Sequence, residues 1–279
     1  MRRLPNFIYI GPDKAGSSWL HDVLIEHPQV YMTPAKDLYF FDRYFDKGVD
    51  WYAAHFEKAG DQPIVGEVCQ DYLFHPDAAA RIAQTLDAPR FMVTLRDPVE
   101  RAFSSYLYML KMGQQPGTFG EALRSRPELL EHGRYASGLD RFADRFGDDN
   151  VYVAVFDDLG ADPQKFVSDL LAWLGIDPFE LTEELSATRL PASKARSALF
   201  ARTARWAADW VRERNGAEIV GRVKRAPLVQ RVLYRPLKEK PGIDPADSEF
   251  IRAALDGEMA RVESRFGVEL RTRWGWQAA

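Results

Sequence analysis

Lys14, Ser17 and Ser18 lie in Ile10-Gly11-Pro12-Asp13-Lys14-Ala15-Gly16-Ser17-Ser18-Trp19-Leu20, a stretch that reads as strand end, tight loop and helix start. Such a junction turns unpaired backbone N–H groups and the positive end of a helix toward an anion. Gly11 and Gly16 keep the Gly-x4-Gly spacing of a Walker A loop, but Ser17 stands where that motif has lysine, and the lysine moves inside the loop to Lys14. A lysine there would stand over the outermost, transferred group of a bound phosphate chain, with the serine hydroxyls and amides holding the phosphate below. Taken alone, the same residues also describe a glycine turn with a surface lysine.

A second junction strengthens the anion reading. In Leu95-Arg96-Asp97-Pro98-Val99-Glu100-Arg101-Ala102-Phe103-Ser104-Ser105-Tyr106, Arg96 ends a strand and Ser104 falls about two turns into a helix. An arginine fork plus a hydroxyl suits a dianionic phosphate. In isolation Arg96 could equally pair with Asp97 or Glu100 at a surface, but two phosphate-competent strand ends in one sheet favour the phosphate.

The elements that must carry these residues are short. Phe7–Ile10, Ile64–Cys69, Phe91–Leu95 and Val151–Phe156 are brief, β-rich apolar runs that predict buried parallel strands. Helical patterns alternate with them: Trp19–Glu26 after a serine pair, Asp77–Leu86, and Val99–Lys111 after an Asp-Pro start. Asp162-Pro163 opens another helix to Leu174, and Asp244-Pro245 opens a last one with Ile251, Leu255, Met259, Val262 and Phe266 on one stripe. Alternation of this kind predicts an α/β fold, a P-loop-like doubly wound parallel sheet flanked by helices. Ligands bind such sheets at the carboxyl ends of the strands, in the loops after Ile10, Cys69, Leu95 and Phe156.

The 279 residues are 46% hydrophobic and 28% charged with a net charge of −4, the composition of a folded domain; 1–279 is expected to be a single one. Nothing suggests a surface built for nucleic acid. Residues 189–240 differ, with fourteen Lys and Arg against four acids, a local +10 that leaves −14 elsewhere. Phe200, Ala204, Ala207 and Val211 form a helical stripe there, so the segment is expected to be a basic helical cap that attracts an anionic ligand or makes peripheral contact with an anionic membrane surface. Cys69 is the only cysteine, the apolar stretch near Met1 is too short for a signal-peptide core, and no run approaches the length of a membrane span. A cytoplasmic location is expected.

The loop, the Arg-Asp-Pro-x-x-Arg-x-x-x-Ser helix, Lys36-Asp37-Leu38-Tyr39-Phe40-Phe41-Asp42 and Gly66-Glu67-Val68-Cys69-Gln70-Asp71-Tyr72 together resemble the sulfotransferases that use 3′-phosphoadenosine 5′-phosphosulfate (PAPS), in particular the carbohydrate and heparan sulfate enzymes and their bacterial relatives. The resemblance covers most of the chain and is weakest at 189–240. It implies that Lys14, Ala15, Gly16, Ser17 and Ser18 hold the 5′-phosphosulfate, with Trp19 near the nucleotide, and that Arg96 and Ser104 clamp the 3′-phosphate. Lys14 would stabilise the leaving oxygen, Glu67 would be the base, and Lys36, Tyr39 and Phe40 would meet a carbohydrate or small-molecule acceptor, Lys36 being alternatively a second cation. No metal is implied, and the product nucleotide is 3′-phosphoadenosine 5′-phosphate (PAP).

Two departures weaken the base assignment. The family's Glu-Lys-Ser/Thr-Pro-x-Tyr reads Glu67-Val68-Cys69-Gln70-Asp71-Tyr72, and Tyr39 replaces a histidine. Glu67 could instead cap an amide or pair with a lysine. His21, His55 and His75 are alternatives by residue chemistry alone, and Cys69 reads as a small buried hydrophobe. An ATP- or GTP-dependent kinase and a non-catalytic nucleotide or membrane-surface module are the rival classes.

Overall fold

A computed structural model describes residues 3–114, 117–187, 193–195, 234–236 and 241–276. Strands β1 (Phe7–Gly11), β2 (Val30–Met32), β3 (Ile64–Val68), β4 (Arg90–Leu95) and β5 (Val151–Val155) form one sheet in the order β2-β3-β1-β4-β5. Every pairing in it is parallel. The four apolar runs are thus strands within a residue of their expected ends. Strand β2 escaped the pattern because three residues cannot display a period; its pairing with β3 makes it a strand. Strands β1 and β3 are buried along their whole length; β1 reads accordingly as an unbroken apolar run, whereas β3 carries one buried acid, Glu67.

The two faces of the sheet carry different partners. Phe7, Tyr9, Val68 and Met92 point to the face covered by α1 (Ser17–Glu26), through Trp19, Leu20, Val23 and Leu24, and by the later helix Pro163–Leu174, through Phe166, Val167, Leu170, Leu171 and Leu174. Because side chains alternate along a strand, Glu67, paired with Ile8 in register, falls on the other face. That face receives α2 (Gly48–Ala53), α3 (Ala78–Thr85) and the helix Tyr135–Phe146, whose Phe142 meets Phe91 edge-on at 5.0 Å. Gly138 allows this approach: a β-carbon there would stand 2.6 Å from the Leu73 carbonyl oxygen.

The chain divides into two compact units, Met1–Asp97 with Arg134–Thr188 and Asp256–Ala279, and Pro98–Gly133 with Arg189–Leu255. The first contains the sheet. The second contains α4 (Pro98–Lys111), α5 (Phe119–Ser125) and α6 (Glu128–Glu131). In it the buried Arg101 donates to the Leu129 carbonyl, and Thr118 and Glu121 close a capping box at the start of α5. Within the expected helical cap, Ser193–Ala195 and Tyr234–Pro236 are instead two strands, β6 and β7, paired antiparallel. The predicted stripe at 200–211 lies outside the described residues.

Helix α7 (Tyr135–Phe146) precedes β5, which runs into α8 (Phe156–Ala161), α9 (Pro163–Leu174) and α10 (Glu183–Ala187). The last long helix, α11 (Pro245–Phe266), buries Ile251, Leu255, Met259 and Val262 as its stripe predicted, while Phe266 is only half-buried. Beyond α12 (Leu270–Arg273), Trp274 Nε1 donates to Asp157 at 3.1 Å and Trp276 Nε1 to Asp97 at 3.4 Å, tying this segment to the first turn of α8 and to the junction after β4. Among the described residues no helix is long and apolar enough to cross a membrane.

Candidate active site

The loop from Gly11 to Ser18 leaves the carboxyl end of β1 and enters α1. Gly16 is the N-cap residue, at φ 87°, with no side-chain hydrogen bond capping the helix and no acidic residue in its first turn. The first amides of α1 are therefore left to an external anion. Gly16 is needed twice over, because its φ is left-handed and an added β-carbon would lie 2.8 Å from Leu159 Cδ2 and 3.2 Å from Phe156 Cε2. Gly16→Ala is expected to lower stability by about 1–3 kcal/mol and to weaken nucleotide binding; thermal melting with and without PAP checks both. Lys14 also has a left-handed backbone, φ 64°, a conformation uncommon outside glycine and concentrated at working sites. Ala15 is buried.

Lys36 reaches this loop from a different segment. The Asp37 N–H donates to the Val68 carbonyl at 2.7 Å, and the Asp37 carboxylate accepts from the Gln70 N–H at 3.4 Å, so the chain after β2 is fastened to the end of β3. Asp37 and Tyr39 take left-handed φ of 60° and 56° in doing so. Lys36 Nζ then donates to Ser17 Oγ and to Ser18 Oγ, each at 2.9 Å. A cation is thus held between two hydroxyls at a helix N-terminus, beside the position, Ser17, where a Walker loop has its lysine. The sequence puts Lys36 on the acceptor side or, alternatively, as a second cation; its bonds to Ser17 and Ser18 are with the phosphate loop.

Arg96 leaves the end of β4 and joins the same loop. Its Nη1 donates to the Lys14 carbonyl at 2.8 Å, its guanidinium lies 4.9 Å over the Phe156 ring, and its own carbonyl accepts from the Tyr135 hydroxyl at 2.8 Å. Ser104, its expected companion, is half-buried on α4 in the second unit. Trp19 departs from expectation. Its ring is 7% exposed, sits edge-on to Phe166 in the core, and its Nε1 donates to the Leu185 carbonyl at 2.7 Å. Helical geometry points residue 19 inward with Leu20 and Val23, away from the anion site.

Glu67 is 0% exposed, on a strand face rather than at an open strand end. The Tyr52 hydroxyl donates to its Oε1 at 2.9 Å, and Oε2 has no hydrogen-bond partner. Burial pushes its carboxyl up to about 8, against the opposing hydroxyls of Tyr52 and Tyr72 and helped by the charges of Asp42 and Asp37. Such a group is a proton acceptor poised near neutrality. Phe40, expected at an acceptor, is fully buried and stacks on Tyr52 at 4.5 Å, so it packs the wall around Glu67. Tyr39 is half-buried under the Arg43 guanidinium at 3.9 Å. From sequence Tyr52 reads, beside Tyr39, Phe40, Phe41 and Trp51, either as acceptor-pocket lining or as core; its bond to Glu67 leaves no sequence signal.

The alternative bases have other surroundings. His21 is buried with Nε2 2.8 Å from the Thr33 carbonyl, His55 stands edge-on to Trp51 at 4.7 Å, and the Asp77 N–H donates to His75 Nδ1. Cys69 is buried, and burial pushes its thiol well above the usual range, as befits a small apolar filler.

Residues 55–180 match the model of the Sulfotransferase family. The membrane-associated sulfotransferase kil1 of Dictyostelium discoideum is 34% identical over 146 residues, 47% of this chain and 31% of the relative. Human heparan sulfate glucosamine 3-O-sulfotransferase 3B1 is 36% identical over 118 residues, 42% of this chain and 30% of that one. The chain thus spans about a third of the length of these curated relatives. The crystal structure of a sulfotransferase from Alicyclobacillus acidocaldarius superposes with a TM-score of 0.71 over 97% of this chain and 98% of that one, at 22% identity.

The chain has the sulfotransferase fold. In the sulfotransferase fold seen here, the matched stretch contains β3 with Glu67, β4 with Arg96, and β5. The phosphate loop and Lys36 precede it in sequence.

Proposed function

We propose that the protein is a PAPS-dependent sulfotransferase that sulfates a hydroxyl of a carbohydrate or other small-molecule acceptor. The observation that carries this reading is Lys36 bridging Ser17 and Ser18 at the uncapped start of α1, with Arg96 fastened to the same loop. Uncapped amides, a glycine cradle and converging cations are the donor set that a phosphosulfate requires. When bound, the nucleotide supplies an activated sulfuryl group on a phosphate leaving group. The amides and hydroxyls of Ser17 and Ser18 hold its 5′ end, and Lys14 and Lys36 neutralise charge that grows on the departing oxygen. Arg96, with its fork, takes the 3′-phosphate.

The acceptor hydroxyl gives its proton to Glu67 Oε2. Since that atom is covered in this conformation, the acceptor must part the side chains above it before transfer. The heparan sulfate sulfotransferases among the relatives support a sugar hydroxyl as the acceptor class.

Calorimetric titration without magnesium tests the donor. PAP is expected to bind tightly, ADP and ATP weakly, and Arg96→Ala to lose roughly 10- to 100-fold in PAP affinity, the worth of a charge-assisted contact. Equal affinity for the three nucleotides, or none, would return the loop to a kinase or a binding module.

A further inference from the structure

Tyr52 lies outside the phosphate loop, the arginine helix and the segment that begins at Gly66. Its hydroxyl nonetheless donates to Glu67 Oε1 at 2.9 Å, the Tyr72 hydroxyl also facing the carboxyl, and the Tyr52 and Glu67 side chains are both 0% exposed. The ring is clamped: Phe40 stacks on it at 4.5 Å and 9°, and Phe41 and Phe56 meet it edge-on, each at 5.0 Å. Three aromatic neighbours therefore fix the position of the hydroxyl oxygen. With Oε1 taken, Oε2 is the carboxyl oxygen with no partner.

We infer that Tyr52 is the positioning residue of this site, tying down Glu67 Oε1 so that Oε2 faces the acceptor proton. The inference rests on the sulfotransferase reading given above. A phenol donor binds a carboxylate more strongly than a carboxylic acid, so Tyr52 also works against burial and keeps the ionised form within reach of neutral pH. The other groups facing Glu67 are Tyr72, which acts in the same sense, Asp42 and Asp37, which oppose it, and the protonated thiol of Cys69. If Tyr52 only packed, phenylalanine would serve as well, since it keeps every ring contact.

Tyr52→Phe separates the two roles. Glutamate-labelled protein, with Glu67→Gln to identify the resonance, allows carboxyl 13C NMR to follow Glu67 through pH. The same samples are assayed for PAP release from PAPS, with 4-nitrophenol and a glucosamine oligosaccharide as acceptors. In Tyr52→Phe the Glu67 midpoint is expected to rise by about one unit, the loss of one charge-assisted hydrogen bond. Transfer at pH 7 should then fall about tenfold, while the alkaline plateau and the KM for PAPS stay within about twofold.

An unmoved midpoint, or a rate lowered equally at every pH, overturns the assignment. Should Tyr52→Phe not fold, the Tyr52 Cζ resonance of the wild type decides: it must shift with the Glu67 midpoint, and independent behaviour overturns the assignment. Wild type that releases no PAP at any pH refutes the sulfotransferase reading, a result distinct from an unmoved carboxyl.

Discussion

Glu67→Gln is expected to be more stable than the wild type above pH 8 and a far slower catalyst at every pH. In the folded chain burial holds the carboxyl at about 8, against an ordinary 4.5, so the folded state keeps its proton where the unfolded state has released it. Stability of the wild type therefore falls as pH rises from about 4.5 to about 8 and then levels, by up to about 4–5 kcal/mol from this group. Glutamine retains an acceptor for the Tyr52 hydroxyl and cannot ionise, so the variant loses that slope. Guanidinium midpoints from pH 5 to 9 check it. The two proteins should be near one another at pH 5 and diverge upward, and parallel curves would mean that Glu67 is already ionised. Transfer should fall by roughly 10²–10⁴ on loss of a general base, while the wild-type rate climbs with pH toward a midpoint near 8.

Lys36→Met should leave a folded protein that hardly turns over. The side chain is half-buried, methionine preserves much of its apolar stem, and a melting temperature within a few degrees of wild type is expected. What disappears is the charge shared by Ser17 Oγ and Ser18 Oγ. If that charge acts where negative charge develops, kcat falls by about 10²–10³, with a smaller loss of PAP affinity. Steady-state rates beside calorimetry separate the two. A loss confined to affinity would make Lys36 a binding residue, with Lys14 alone at the leaving oxygen.

What the sequence disclosed follows from how local each feature is. The glycine spacing at 11 and 16, the Asp-Pro helix starts and the four apolar runs are signals a few residues long, and the corresponding elements lie where these predict. Arg96 could be read as an anion ligand from its place at a strand end. Its bond to the Lys14 carbonyl could not, because 82 residues separate the two and only the β1–β4 pairing brings them together. The same holds for Tyr52, fifteen residues before Glu67 and joined to it through the packing of α2 on the sheet. Trp19 was misread because a motif fixes a residue's position along the chain, whereas helical phase decides which way it faces. In 189–240, expected to be a helical cap, composition could report charge but not the β6–β7 pairing, which depends on contacts some forty residues apart.

The tryptophan ties have a consequence for the order in which the protein matures. Trp276 grips Asp97 across 179 residues of chain, and Trp274 grips Asp157 across 117. A ribosome delivers the phosphate loop, Arg96 and Phe156 long before either indole exists, so the sheet can assemble while the loops at its carboxyl edge remain untethered. The two indoles thus fasten segments next to β4 and β5 only after all five strands of the sheet have been made.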